Sequence, residues 1–437
     1  MYLLALNCGS SSIKGKLFDL PPAATPADLD VPLNGAATIA VSNIGSKGDK
    51  VVIKVSWEAG RGQDVKEEGA EGSTVEHRDI FPILLKNLAG SGGVQGSEIK
   101  YITHRIVHGG LNKKPLIVTH EHEEALTEMD ALSEFAPLHN HHAVLGVRAC
   151  LEALPEHTSV LLFDTLFHQT LPRETYTYAL PPPELATAIP LRKYGFHGLS
   201  YASIVRSLSA NLGKPASDIN VVVAHLGSGA SACCILGGKS IDTTMGLTPL
   251  EGLVGGTRTG TIDPTAIFHH TKDPGGDAGL KDMHVTRAEL VMNKKSGLTA
   301  LAGTQNFGLI TQRIADPSTC SPEEGAAAQL AYDVFVDRLM GFLAAYLSKL
   351  LYRVPLANVA LAFSGGIGEN SAQLRADVLA RLGWLGAEVD AGKNAARAQD
   401  GEVVRTISTA GSKLRTYVVL TDEEAQCAHM AREALNI

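Results

Sequence analysis

The sequence predicts an α/β protein of two lobes built on one duplicated plan, and three observations carry that prediction. The chain has 437 residues, more than one hydrophobic core accommodates, since chains split into domains beyond roughly 250 residues. Two stretches about half a chain apart, "LNCGSSSIKG" and "VVAHLGSGASACC", each read as strand, Gly/Ser-rich turn, strand. A third, "NVALAFSGGIGENSAQLRADVLARL", reads as strand, glycine turn, then a helix starting near Asn370.

In chain order, Leu3–Asn7 and Ile13–Asp19 are strands around the first turn. From Pro21 to about Glu76 the composition is rich in Pro, Ala and Gly; "KVVIKVSW" alternates as a strand, and "GRGQDVKEEGAEGS" reads as an exposed, mobile loop. "KYITHRIVHGG" is a strand ending at a double glycine, "HNHHAVLGVRACLEALP" starts a helix, and "SVLLFDTLFHQT" is a buried strand running into a polar end. The apolar stretch Ala326 to Leu351 carries Asp333, Asp337, Arg338 and Lys349, so it reads as a buried helix and not a membrane span.

Composition narrows the function. With 44% hydrophobic and 19% charged residues and a formal charge of −8, nothing supports a nucleic-acid surface or docking on anionic membranes. A basic pocket for a small anion remains compatible with an acidic chain. Six scattered cysteines show no C-x-x-C pair or zinc spacing, which suits reduced thiols. The N-terminus lacks a basic n-region and its apolar run is strand-length; the expected compartment is the cytoplasm. "HNHH" (His139–His142), "HEHEE" (His120–Glu124) and His269-His270 read as solvated histidines, not metal ligands.

The turns suggest chemistry. Phosphate oxygens are satisfied by converging backbone N–H groups, glycine lets the backbone approach, and serine hydroxyls add donors. A single Gly/Ser turn is usually only a tight turn. Here Gly9 to Ser12, Gly227-Ser228-Gly229 and the junction Gly365–Asn370 make three. No G-x-x-x-x-G-K-[ST] exists, so a P-loop is excluded. Gly227-x-Gly229-x-x-Ala232 fits the dinucleotide pattern, but "CCILGGK" continues as a strand where that pattern needs a helix. Phosphoryl transfer also needs cations on the moving group and a carboxylate for Mg²⁺. Arg105 at the end of an apolar strand, Arg258 in "GGTRTGTIDP", Asp164 at the end of a buried strand and His197 in "KYGFHGLSY" are the residues of the right type.

These residues fall within nine motifs, in order: "NCGSSSIK", "HRIVHGG", "APLHN", "FDTLFHQT", "YGFHGLS", "HLGSGAS", "MGLTPLEGLVGGTRTG", "GGIGENS" and "TDEE". Together they resemble the acetate kinases, acyl-phosphate-forming members of the sugar kinase/Hsp70/actin superfamily, from about residue 2 to 430. The resemblance implies an α/β fold of two duplicated actin-like, RNase H-like lobes with an interlobe cleft. One lobe spans 1–165, with 421–437 returning to it; the other spans 166–420 and carries the nucleotide site and a homodimer interface. It implies reversible transfer of the γ-phosphoryl group of ATP to acetate, giving acetyl phosphate and ADP, with Mg²⁺ or Mn²⁺.

Residue by residue, the resemblance implies that Arg105 and Arg258 hold the acyl carboxylate and the moving phosphoryl group. His197 stabilises the transition state and His139 supports it. Asp164, Glu423 and Asn7 organise the metal. Ser10, Ser12 and Lys14, then His225, Gly227, Ser228 and Gly229, then Gly365, Gly366, Ile367, Gly368 and Asn370 bind phosphates and nucleotide. Val107, Leu138, Phe196 and Pro249 match the acyl-methyl pocket. A carboxylate carries no proton at pH 7 and needs no base, so catalysis is positioning and charge neutralisation in an in-line transfer.

Three positions depart from the family pattern: Ser228 stands where Asn is usual, Thr261 where Asp is common, and Gly308 follows Asn306-Phe307 in place of an adenine-side arginine. The adenine-side change leaves a pyrophosphate-dependent enzyme as an alternative; a propionate or short-chain acyl kinase is another, because propionate adds only one methylene to the acyl pocket.

Overall fold

The computed structural model describes residues 1–9, 11–21, 33–135, 140–279, 285–399 and 401–437. The chain divides into two compact units. Unit 1 comprises Met1–Leu166, Ala186–Ile189 and Asp422–Ile437; unit 2 comprises Phe167–Leu185 and Pro190–Thr421.

Unit 1 is built on an eight-stranded sheet. Its strands are β1 (Tyr2–Cys8), β2 (Ser12–Asp19), β3 (Gly35–Ser42), β4 (Lys50–Trp57), β5 (Val65–Glu71), β6 (Ile99–Ile106), β7 (Leu116–Val118) and β8 (Thr158–Phe163), in the order β5-β4-β3-β2-β1-β6-β8-β7. β1 through β5 form an antiparallel meander, β6 and β8 run parallel to β1, and β7 returns antiparallel at the far edge. β1 is buried along nearly its whole length, as a strand covered on both faces must be. Leu4 and Leu6 join a core with Ile80 and Leu84 of helix His77–Gly92 and Cys150 of helix Asn140–Ala153. The C-terminal helix Glu423–Leu435 packs against β1, β2, β6 and β8.

Unit 2 has a six-stranded sheet of β9 (Val221–Leu226), β10 (Ala230–Leu236), β11 (Lys239–Thr243), β12 (Ala360–Ser364), β13 (Val404–Thr406) and β14 (Arg415–Val419), ordered β11-β10-β9-β12-β14-β13. Alternate residues of β9 feed different cores. Val222, Ala224 and Leu226 pack with the helix Pro322–Leu351, while Val221 and Val223 pack with Tyr201, Ile204 and Leu208 of helix Gly198–Leu212. The period of two puts neighbouring residues on opposite faces. Cys233 and Cys234 on β10 obey it, one in each core. All six cysteines are free thiols.

The six strands of unit 2 repeat the pattern of β3-β2-β1-β6-β8-β7: a three-stranded meander, two parallel strands, and an antiparallel strand at the far edge. Unit 1 adds β4 and β5. The second of these corrects the sequence reading, because "GRGQDVKEEGAEGS", expected as a loop, contains an edge strand. Only one side of it pairs, its side chains are half-buried at best, and Lys66, Glu67 and Glu68 guard the open edge.

A second correction lies at the glycine junction. "GGIGEN" is itself the helix Gly365–Asn370, and the next helix, Ala372–Arg381, starts after Ser371, whose hydroxyl accepts from Leu374 N at 3.3 Å. The long helix Pro322–Leu351 forms as expected, opened by Ser321 and Glu324 in a reciprocal capping box. No helix of the described residues is long and apolar enough to cross a membrane.

Candidate active site

In unit 1 the charged group is Arg105, the penultimate residue of β6. Its Nε and Nη2 donate to the two oxygens of Asp164 at 3.0 and 2.8 Å, and Nη1 lies 2.8 Å from a Glu423 oxygen. Asp164 is 1% exposed and follows β8, with its N–H extending the ladder to the Ile106 carbonyl. Glu423 opens the C-terminal helix. Burial by itself would lower the Arg105 pKa, but the two carboxylates outweigh it and hold the guanidinium charged. The fork geometry is why arginine, not lysine, suits this position. Cys427, buried beneath, has its thiol pKa pushed far up, by burial first and then by Glu423.

The loop after β6 is pinned by a residue that sequence reasoning quoted but gave no role. Asn140 accepts from His108 N at 2.9 Å and returns a bond to the His108 carbonyl at 2.8 Å. Gly110 N donates to His108 Nδ1 at 3.0 Å. A Cβ on Gly109 would fall 2.2 Å from the Phe163 ring, so the double glycine is needed for packing. Val107, expected to line the acyl pocket, is half-buried in this loop.

The β1–β2 hairpin turn is closed by Gly9 N donating to the Ser12 carbonyl at 2.8 Å, and the Gly9 carbonyl accepts from His77 Nε2 at 2.8 Å. His77 in turn stacks on His142 at 5.6 Å, so this part of "HNHH" is not simply solvated; His120, His122, His269 and His270 are exposed. Asn7 lies across from Lys14 in the β1–β2 register; Asn7 and Ser12 are half-buried and Lys14 is exposed. Ser10, Leu138 and His139 lie outside the described residues.

In unit 2 the β9–β10 turn gathers the remaining charged groups. A Cβ on Gly229 would sit 3.2 Å from Arg258 Nη1 and 3.6 Å from His197 Nε2, so glycine there allows both groups to close on the turn. His197 precedes helix Gly198–Leu212 with φ 58°, a left-handed conformation uncommon outside glycine. Its Nδ1 is 2.8 Å from Ser231 Oγ, and its ring centroid is 4.7 Å from that of His225.

The Arg258 loop is stapled by its backbone: Gly255 N donates to the Arg258 carbonyl at 3.0 Å, Gly256 N to the Ser228 carbonyl at 2.7 Å, and Thr259 N to the Met292 carbonyl at 3.0 Å. Lys294 has its pKa lowered by burial first and then by the Arg258 charge. The Ser228 hydroxyl donates to Gln305 Oε1 at 3.3 Å. Thus His197, Arg258, His225 and the Gly227–Gly229 turn come together in one unit, and Arg105, Asp164 and Glu423 in the other.

The other expected residues of unit 2 lie around this core. Gly365 has φ +75°, and a Cβ there would meet the Leu226 backbone at 2.7 to 3.0 Å. Its N–H donates to Glu369 Oε1 at 3.0 Å, and Asn370 Nδ2 donates to the Gly366 carbonyl at 2.8 Å. Burial raises the Glu369 pKa, partly offset by backbone donors. Arg375, almost fully buried, fixes the other end of this segment by donating to the carbonyls of Gly368 and Glu369 at 2.7 and 2.8 Å. Phe196 is fully buried and Pro249 is half-buried. Asn306 caps helix Phe307–Ala315, accepting from Leu309 N at 3.1 Å. Phe307, expected on the nucleotide side, is 6% exposed and packs its ring on Tyr332 and Phe335.

A guanidinium group in each half of a duplicated α/β chain, one at a strand end and one on a loop, beside glycine turns that follow corresponding strands, is the equipment of a phosphotransferase. The comparisons narrow the class. A profile of the acetokinase family matches residues 2–429. A probable acetate kinase of Cryptococcus neoformans is 58% identical over 433 residues, covering 99% of this chain and 98% of that one. Among solved structures, a propionate kinase from Francisella tularensis superposes with a TM-score of 0.80 at 32% identity, covering 98% of each chain. An acetate kinase from Porphyromonas gingivalis superposes with 0.79 at 29% identity, covering 99% of each. The chain belongs to the acetokinase family, which bears out the acetate kinase reading of the nine motifs and the two-lobed α/β fold it implied.

Proposed function

We propose that this chain transfers the terminal phosphoryl group of ATP to acetate, reversibly, forming acetyl phosphate and ADP in a Mg²⁺-dependent reaction. The observation that carries the reading is Arg105, half-buried, held charged and gripped by two carboxylates at the end of a strand. An ion pair this costly to desolvate suits a site that must face an anion.

The acceptor carboxylate is already ionised and attacks without a base. Arg105 and Arg258 offset the repulsion between that carboxylate and the incoming phosphoryl group, and His197 donates to the charge that develops on it. The backbone N–H groups of Gly227–Gly229 and of Gly365–Gly368, with Ser10, Ser12 and Lys14, hold the phosphates. Val107, Leu138, Phe196 and Pro249 enclose the methyl group, and His139 supports the acyl end.

The donor set suits Mg²⁺. Asp164 and Glu423 each reach the same guanidinium at 2.8 Å, so their oxygens lie close together. A hard cation that keeps most of its waters needs only one or two carboxylates, in keeping with the absence of any larger ligand cluster among the described residues. Glu423 and Asn7 would hold the ion and Asp164 would order its waters; bound there, it neutralises phosphate charge. We further propose a homodimer joined through unit 2, working in the cytoplasm, where its six free thiols stay reduced.

The test traps acyl phosphate as the hydroxamate from ATP, Mg²⁺ and acetate, propionate or butyrate. It then runs the reverse reaction from acetyl phosphate with ADP or orthophosphate as acceptor. Acetate should exceed propionate by about tenfold or more, the discrimination one methylene affords, and ADP should be the better acceptor. No hydroxamate from any acid overturns the reading. Preference for propionate reassigns the acyl substrate, and preference for orthophosphate reassigns the donor.

A further inference from the structure

Behind His197 stands a chain of two buried hydroxyls that the reaction described so far does not use. Ser231 Oγ is 2.8 Å from His197 Nδ1 and 2.5 Å from the Tyr201 hydroxyl. Ser231 and Tyr201 are both 0% exposed. Ser231 lies on β10, opposite His225 of β9 in the strand register. Tyr201 lies on the first turn of helix Gly198–Leu212, which begins directly after His197. Its ring belongs to the core formed with Ile204, Leu208, Val221 and Val223.

The proton count allows this chain two directions, and the surroundings of Nε2 choose between them. Ser231 has one hydroxyl proton and stands between two groups. In one arrangement Tyr201 donates to Ser231, Ser231 donates to His197 Nδ1, and the imidazole carries its proton on Nε2. In the other, His197 Nδ1–H donates to Ser231, Ser231 donates to Tyr201, and Nε2 presents a lone pair. Nε2 is the ring nitrogen on the side of the Gly229 turn and Arg258. A lone pair there would repel an anion, whereas an N–H would bind one.

We propose that Tyr201 and Ser231 are positioning residues that hold His197 in the tautomer protonated on Nε2, so that it meets the phosphoryl group as a hydrogen-bond donor. The proposal rests on the role given above to His197. It adds two residues, on a different strand and helix, that set which nitrogen carries the proton. The ring is thus fixed twice, by its left-handed backbone and by a hydroxyl bond at Nδ1.

The experiment uses full-length protein labelled with ¹⁵N-histidine, with His197→Ala assigning the His197 ring signals by their disappearance. Wild type should show a protonated Nε2 and an unprotonated, hydrogen-bonded Nδ1. Ser231→Ala should move both ring shifts toward a tautomer mixture and lower kcat about tenfold with nucleotide KM unchanged; Tyr201→Phe should do the same by about threefold, the range expected for one hydrogen bond. Tyr201→Phe preserves the ring and its volume, so it serves alone should Ser231→Ala fail to fold.

A wild-type His197 protonated on Nδ1 overturns the proposal, as does a fall in kcat with unchanged ring shifts, which would mark a purely structural role. Shifted rings with unchanged kcat overturn the catalytic part. Wild type that makes no acyl phosphate overturns the proposed function instead, and the ring shifts still decide the tautomer.

Discussion

In unit 1 the strand beside the first hairpin, β6, ends in Arg105 with Ile106 behind it, and Asp164 follows the next strand, β8. In unit 2 the corresponding strand, β12, ends in Ser364 and passes straight into Gly365. The registers make the comparison close: Cys8 and Leu226 are the last paired residues before the two turns, so Asn7 matches His225; Leu6 pairs with His104, one place before Arg105, and His225 with Ser364, so Arg105 and Ser364 hold equivalent places. One copy of the plan spends these places on a guanidinium and carboxylates, the other on bare backbone. Unit 2 then brings its own arginine, Arg258, from a loop between β11 and β12. Duplication preserved the scaffold and the turn, while the charge came from different elements in each half.

Replacing the two arginines should break the symmetry most sharply. Arg105→Ala and Arg258→Ala should each lower kcat on the order of 10³-fold, if they act as arginines do on transferring phosphoryl groups. Only Arg105→Ala should also cost stability, about 3–5 kcal/mol, because it strands the buried Asp164 carboxylate. Urea unfolding of the two variants distinguishes them; equal stability would show that the Asp164 pair contributes nothing net.

The glycines of the two plans are also unequal. Gly365→Ala should destabilise by about 1–3 kcal/mol from the left-handed backbone alone, with more from collision with Leu226, and should raise the nucleotide KM. Gly9 is not among the glycines of positive φ, and its Cβ would meet only Ser12 Oγ at 3.3 Å and the Ser12 carbonyl. Gly9→Ala should therefore cost under about 1 kcal/mol, the ordinary scale of such changes. Thermal unfolding and nucleotide titration check both.

Each unit also buries a neutral histidine. His104 in unit 1 is pushed down to about 3, by burial first and then by His157. His168 in unit 2 is pushed down to about 4 by burial, opposed by its bond to the Phe196 carbonyl. Below the unfolded value of about 6.5 only the unfolded chain takes up these protons, so stability is lost as pH falls from there. The loss from the two together should reach several kcal/mol, of the order of the whole stability of the fold, levelling near pH 4 for His168 and near pH 3 for His104. Urea titrations between pH 7 and 3 should show this slope, and His104→Gln should flatten its lowest part.

The smallest effects belong to the turn hydroxyls. Ser12→Ala should raise the nucleotide KM about threefold, as expected for one lost hydrogen bond. Ser228→Ala should do less, because its hydroxyl is already engaged by Gln305. Equal effects would show that Gln305 releases Ser228 when nucleotide binds.

Much of the fold was legible because the apolar strands are short, alternating and punctuated by glycine. β1 and β2 follow from that pattern within a residue, and β9 and β10 follow as the strand–turn–strand it implies. β5 was illegible because an edge strand with one paired side needs no apolar face, and "VKEEGAE" reads as loop. Arg105, Asp164 and Glu423 could each be suspected from sequence, yet their mutual pairing spans residues 105 to 423 and no local pattern encodes it. Asn140 and Ser231 were missed for a related reason. Each acts through a hydrogen bond to a residue distant in the chain, and polar side chains within helices and strands look ordinary until their partners are known.

Unit 1 is discontinuous: Arg105 and Asp164 come from its first stretch, and Glu423 from the last helix. On the ribosome, translation at ordinary speeds separates the first pair from their third member by roughly ten to fifty seconds. Throughout that interval the whole of unit 2 must be made while the nascent first sheet waits for the helix that covers β1 and β6. Loosening that helix from its first turn would therefore release a carboxylate partner of Arg105 and uncover β1 and β6 in one event, which couples the order of this charged cluster to the covering of the sheet.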